Sequence, residues 1–230
     1  MSIEPRVLLL APLRAERALI IEAVRLRHPV AVVERLRVAC EYVAAWRVLL
    51  AHGGHGKVQL GIQTQYLIDQ FPSAELVMCV GAAGGLDAGL AIGDVVVGTE
   101  TIEHDHRAHF VERPLPRFPG HAPSVLRLRR TVQGLSGFRV AFDRIASGDE
   151  DVVTNERAHA VRAETGAACV AWEGSGAARA ACFNGLGSIE IRAVTDSADK
   201  AAPQAFEASL PMAMANLALV LGCFFEEGLP

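Results

Sequence analysis

The chain has 230 residues, with 22 Lys and Arg against 26 Asp and Glu, and its formal net charge of −4 excludes a strongly basic nucleic-acid surface. At 51% hydrophobic and 21% charged it is too apolar for disorder and long enough to bury one sizeable core, so a single domain over residues 1–230 is expected. The longest apolar run, Met212 to Phe225, is too short for a bilayer and contains Asn216 and Gly222, and Met1 to Arg6 lacks the pattern of a secretory signal. These features predict a cytoplasmic protein with neither a membrane nor a nucleic-acid partner. Five widely spaced cysteines without a C-x-x-C (Cys40, Cys79, Cys169, Cys182, Cys223) fit buried thiols in a reducing compartment.

Arg6 to Ala11 is a short continuous apolar run, as expected for a strand buried on both faces, and a helix follows from Arg14 to Leu26. Val30 to Cys40 and Val43 to Ala51 alternate like an antiparallel pair, separated by Glu41 and Tyr42. After Gly53-Gly54-His55-Gly56 a helical period runs through Val58, Ile62, Tyr66, Leu67 and Phe71. Leu76 to Val80 reads as a buried strand ending in Gly81-Ala82-Ala83-Gly84-Gly85, and Gly93-Asp94 introduces a further run, Val95 to Thr101. Glu103 to Ala122, rich in His, Arg, Pro and Gly, reads as a long functional loop. Helices at Ser124 to Val132, Asn155 to Glu164, Gly174 to Asn184 and Pro203 to Phe225 then interleave with strands at Phe138 to Ala146, Ala168 to Ala171 and Ile189 to Val194. This alternation predicts an α/β fold, a three-layer αβα sandwich around a mixed central sheet.

Two nucleotide motifs fail on inspection. Gly54-His55-Gly56-Lys57 has Ala51 where the first glycine of a P-loop belongs and Val58 in place of Ser or Thr, and neither glycine cluster completes G-x-G-x-x-G. His104, His106 and His109 around Asp105 lie in a loop-like segment with no cysteine nearby, so no metal and no cofactor are expected. Three carboxylates stand just beyond predicted strands: Glu16, Glu173 and Asp196. In open α/β sheets ligands gather at the carboxyl ends of strands, so these acids are candidates for a shared cleft, although each by spacing alone also fits a helix cap or a solvated residue.

Val170-Ala171-Trp172-Glu173-Gly174-Ser175-Gly176, followed by Ile191-Arg192-Ala193-Val194-Thr195-Asp196-Ser197-Ala198-Asp199, resembles the V-E-M-E-x-x-A and R-x-(I/V)-S-D-x-A-D pair of the nucleoside phosphorylase and nucleosidase superfamily. The likeness continues through Leu10 to Glu16, Gly54 to Val58, Val80 to Asp94, Ser147-Gly148-Asp149 and Phe206-Glu207, nearly the full length and in the right order. The branch it most resembles is the 5′-methylthioadenosine/S-adenosylhomocysteine nucleosidases.

That resemblance implies hydrolysis of the bond between a purine and the sugar of a 5′-modified nucleoside, within purine nucleoside metabolism and methionine salvage, by a homodimer. Asp196 matches the acid that protonates the leaving purine, Glu16 the carboxylate that activates water, and Glu173 the acceptor of both ribose hydroxyls. Backbone near Val152 matches the position that reads the adenine edge, and Ala82, Gly84 and Thr195 are further substrate-binding candidates. Trp172 replaces the family's Met and would stack on the ribose or fill core, while Asp151 replaces an aromatic that stacks on the base. Pro12-Leu13-Arg14-Ala15 resembles the phosphate-binding turn of bacterial purine nucleoside phosphorylases, making Arg14 a possible phosphate ligand and phosphorolysis the alternative. Against it, Cys79 and Ala82 occupy the positions of that branch's other phosphate ligands. A non-catalytic nucleoside-binding protein is the third reading. The sequence leaves the 5′ substituent open, with Phe110, Leu115 and Phe118 as candidates for lining its pocket.

Overall fold

A computed structural model describes residues 3–111 and 113–226. The amino-terminal half runs β1 (Val7–Ala11), α1 (Arg14–Arg25), β2 (Ala31–Val32), β3 (Cys40–Val43), β4 (Val48–His52), α2 (Lys57–Gln70) and β5 (Leu76–Gly85). It continues through β6 (Val95–Glu103), β7 (Arg117–Pro119), α3 (Ala122–Thr131), β8 (Val140–Ser147), α4 (Asn155–Thr165), β9 (Cys169–Ala171), α5 (Gly174–Phe183), β10 (Gly187–Asp196) and α6 (Ala202–Glu226).

Parallel β4, β1, β5 and β10 form the middle of the sheet, with β3 and β2 added antiparallel at one side. On the other side β10 pairs antiparallel with β6, β6 and β8 pair in parallel, and β9 bridges β8 back to the end of β5. That last pairing curls β5, β10, β6, β8 and β9 into a closed ring. Side chains of β1 alternate between two cores, as the strand period of two requires: Val7 and Leu9 pack with α1, α3 and α6, whereas Leu8 and Leu10 pack with α2 and α5. Helices therefore cover both faces of a mixed sheet, the three-layer arrangement expected.

Three local expectations need correction. Glu41 and Tyr42 belong to β3, and the reversal lies later, in a 3₁₀ turn at Ala44–Trp46 with Arg47 in the left-handed region at φ 51°. Trp46 is buried there and stacks on Phe225 at 5.0 Å, a tertiary anchor that alternation alone does not reveal. The expected long loop is shorter, because β6 continues to Glu103 and β7 pairs with it through Thr101 and Phe118. Of the cysteines, Cys40, Cys79 and Cys169 are buried, but Cys182 is exposed and Cys223 only half-buried.

Helix α6 is long and apolar enough to cross a membrane by length and composition. In this fold 61% of its apolar window is buried, and Leu217, Val220 and Leu221 sit in the core shared with β1 and β10. Leu217→Ala should therefore lower the free energy of unfolding by about 3 kcal/mol, and Met212→Ala on the exposed side by less than about 1 kcal/mol. Urea denaturation of both variants measures the difference.

Candidate active site

Pro12 has no backbone N–H and ends β1, and Leu13 then caps α1. Glu16, the third residue of that helix, reaches back so that its Oε2 accepts from the Leu13 N–H at 2.8 Å. Oε1 accepts from the Ala82 N–H at 2.7 Å, which fastens α1 to the glycine-rich end of β5. A methyl group on Gly81 would lie 2.6 Å from that oxygen, so the bare backbone there makes room for the carboxylate. Burial is the main influence on Glu16 and pushes its pKa up to about 7; the Glu173 charge adds to the rise, while the Arg192 charge and the two backbone N–H groups oppose it.

Glu173 follows β9 and caps α5, where the helix dipole favours a negative charge. It is 4% exposed; Oε2 accepts from Arg192 Nη2 at 3.1 Å, and Oε1 lies 3.4 Å from both the Gly56 N–H and His55 Nδ1. Ser147 at the end of β8 holds this corner, donating from Oγ to the Trp172 carbonyl at 2.8 Å. The Trp172 ring stands 4.2 Å from the His55 ring.

Asp196 ends β10 just after a register shift against β5. Its Oδ2 accepts from the Thr195 hydroxyl and its Oδ1 from the Ala198 N–H, each at 2.9 Å. Ala198 adopts φ 51°, a left-handed conformation that costs an alanine about 1 kcal/mol and turns its N–H onto the carboxylate. Burial raises the Asp196 pKa above its ordinary value of 3.8, with Asp199 adding to the rise and the two hydrogen bonds opposing it. Gly84 leaves space beside it, since a methyl there would approach Oδ1 to 2.9 Å.

One cavity of about 480 Å³ brings these groups together: Glu16, Glu173 and Asp196 all line it. Of the other expected residues, Ala82, Gly84, Asp151, Val152, Trp172 and Thr195 line it too. Four expected residues do not. Arg14 is exposed on the first turn of α1 and outside the lining, because the turn directs Glu16 inward and leaves Arg14 facing water. Phe110 is fully exposed and also outside it, Leu115 belongs to a separate surface depression, and Phe118 packs under the Arg179 guanidinium. The histidine run also separates: His104 is completely buried, His106 and His109 are exposed, and no cluster suited to a metal occurs among the described residues. Lys57 is committed to Glu103 and Asp105, at 2.9 and 2.5 Å, which agrees with rejecting a P-loop.

The cavity contains residues that sequence reasoning did not assign. His55 sits within the G-x-G-K segment, Arg192 opens the R-x-V-T-D segment, and Phe206 and Glu207 form a pair that matches the family pattern. Position in a motif was their only signal, since nothing local marks Arg192 as an inward-facing cation on an apolar strand.

A glycine-cut sheet end with three enclosed carboxylates defines a class. Residues 6–225 match the model of the phosphorylase superfamily, and the chain belongs to that family. It is 31% identical over 187 residues to a 5′-methylthioadenosine/S-adenosylhomocysteine nucleosidase of Actinobacillus succinogenes, covering 78% of this chain and 81% of that one. The crystal structure of the nucleosidase of that name from Neisseria meningitidis, in complex with methylthio-immucillin-A, superposes with a TM-score of 0.85 at 29% identity, covering 96% of this chain and 99% of the other. Futalosine hydrolase of Helicobacter pylori shares the fold, with a TM-score of 0.88 at 22% identity over 98% and 99% of the two chains.

The buried Glu16 makes stability depend on pH. Its carboxyl holds a proton more tightly in the folded state, near 7, than in the unfolded chain, near 4.5, so this contribution is complete below pH 4.5 and is lost as pH rises through 7. Between pH 5 and pH 8 the wild type should lose roughly 2–3 kcal/mol more stability than Glu16→Gln, measured by urea unfolding at the two pH values.

Proposed function

We propose that this protein hydrolyses the N-glycosidic bond of a 5′-modified adenosine, of the 5′-methylthioadenosine or S-adenosylhomocysteine type, releasing adenine and the 5′-modified ribose. The observation that carries this reading is the convergence of Glu16, Glu173 and Asp196 on one cavity in a chain of this family. In the reaction the C1′–N9 bond breaks while Asp196 delivers a proton to N7, so adenine leaves as a neutral base. Water forms the new bond to C1′, and Glu16 accepts its proton. The two environments suit these tasks: burial keeps the proton on Asp196 more firmly than usual, and it tunes Glu16 to a base poised near neutrality.

Glu173 takes the ribose hydroxyls, each carboxylate oxygen having a lone pair to spare beside its present partner. Trp172 offers a flat apolar surface at the sugar, and backbone at Val152 reads the adenine edge, with Asp151 at the mouth of the base site. Ala82, Gly84 and Thr195 complete the wall behind them. Hydrolysis is favoured over phosphorolysis because Arg14 faces solvent outside the cavity and the guanidinium that does reach it, Arg192, is shared by two carboxylates. We further read the protein as one domain over residues 1–230 that works in the cytoplasm as a homodimer in methionine salvage and needs neither metal nor cofactor. The single family model spanning 6–225 supports the domain reading.

Asp196→Asn should leave the affinity for 5′-methylthioadenosine within a few-fold by calorimetry while kcat falls roughly a hundredfold or more. An unchanged kcat removes the acid from Asp196. Product analysis with several 5′-modified adenosines should yield free 5′-modified ribose with and without phosphate; a sugar 1-phosphate formed only with phosphate assigns the reaction to phosphorolysis instead.

A further inference from the structure

Arg192 is gripped on more than one side. Nη2 donates to Glu173 Oε2 at 3.1 Å and to the Cys79 thiol at 3.3 Å, and Nη1 donates to the Ala82 carbonyl at 3.3 Å. Nε donates to Glu190 Oε1 at 2.8 Å. Glu190 does not line the cavity. It stands two residues before Arg192 on β10, so both side chains leave the strand on the same face. Its other oxygen accepts from the Thr101 hydroxyl of β6 at 2.7 Å. Glu190 and Thr101 are 3% and 5% exposed. The first residue of α5 is cut back to admit this carboxylate: a methyl on Gly174 would lie 1.9 Å from Glu190 Oε2. The positive end of that helix favours the negative charge placed there.

Packing alone would be served as well by an apolar side chain, since taking a carboxylate out of water is costly. The charge of Glu190 therefore calls for a use, and among the described residues its cationic partner is Arg192. We propose that Glu190 is a positioning residue for the hydrolysis: it fixes the Arg192 guanidinium so that its Nη edge faces the cavity, and it takes up part of the positive charge that Arg192 would otherwise present to Glu16 and Glu173. This rests on the reading of Glu16 as the base.

The groups facing Glu16 are Arg192, Glu173 and the Leu13 and Ala82 N–H groups; those facing Arg192 are Glu173, Glu190, Cys79 and Glu16. Among them Arg192 is the strongest influence favouring the ionised form of Glu16. Neutralising Glu190 without changing its shape makes that influence stronger, so Glu16 gives up its proton at lower pH.

Glu190→Gln is the test, because its amide oxygen still accepts from Arg192 Nε and its NH₂ still donates to the Thr101 hydroxyl oxygen. The readout is the pH profile of kcat/KM for 5′-methylthioadenosine. The inflection that Glu16→Gln abolishes should move down by about half a pH unit or more relative to the wild type. A profile that superimposes on the wild type overturns the inference. If Glu190→Gln does not fold by circular dichroism, Thr101→Val decides: a lowered kcat restored by Thr101→Ser supports the inference, and wild-type kinetics in Thr101→Val overturn it. Glu16→Gln keeps the two failures apart. A profile in Glu16→Gln that keeps every wild-type inflection overturns the assignment of the base and the inference with it, whereas an inflection lost in Glu16→Gln but unmoved in Glu190→Gln overturns the inference alone.

Discussion

A fully buried guanidinium organises this molecule. Arg192 projects from the central strand β10, is 1% exposed, and has lost the water that would normally solvate it. Desolvating a cation is tolerable only where anions and carbonyls replace the water with good geometry. Here the replacement is made by Glu190, Glu173, the Ala82 carbonyl and the Cys79 sulfur, drawn from β10, the start of α5 and strand β5. Because these partners come from separate elements, the pairing of charge also fixes the relative positions of the segments that form the cavity. Removing the cation would leave Glu173 and Glu190 buried without their counter-ion, a larger loss than the deletion of one surface ion pair.

Glu16 and Asp196, which also line the cavity, are both shifted upward by burial but against different opposing influences. Glu16 is enclosed and receives two backbone N–H bonds that favour its anion, yet burial still outweighs them. Asp196 likewise holds two hydrogen bonds, one from a hydroxyl and one from a residue in a left-handed conformation, and burial outweighs these as well. Both groups thus hold their protons more tightly than in water, but only Glu16 has Arg192 as a direct counter-influence. A ligand that expels the remaining water would strengthen each of these influences, because charges interact more strongly in a drier site.

Most of the fold was legible in the sequence because its signals are local. Leu8, Leu9 and Leu10 are apolar on both faces of a strand, and Asn155 to Thr165 is bounded by the Thr154 cap and Gly166 in the left-handed region. What escaped was tertiary. The turn at Trp46 is set by stacking on Phe225, some 180 residues later, and β7 exists only because β6 continues far enough to pair with it. Within the cavity, Glu16, Glu173 and Asp196 were visible as acids following strands and as motif members, whereas Arg192 reads locally as one charge interrupting an apolar strand. Phe110 and Arg14 failed for the complementary reason. Apolarity or charge in a motif-bearing segment does not specify the direction in which a side chain leaves a loop or a helical turn, and both face water here.

The glycines join these observations. As a dinucleotide fingerprint the cluster at the end of β5 is incomplete, and the left-handed φ values that favour glycine occur elsewhere, at Gly54, Gly56 and Gly93 among others. Gly81, Gly84 and Gly174 instead face Glu16, Asp196 and Glu190, at distances a side chain would occupy. The end of a flexible glutamate usually yields to such a neighbour at little cost, but these carboxylates are pinned by hydrogen bonds, so a methyl at any of the three would displace the acid rather than slip past it. Glycine at these sites therefore reports neither backbone freedom nor a phosphate cradle. It reports the volume that buried carboxylates require beside a sheet, which is why a pattern that fails as a nucleotide motif still marks where the acids converge.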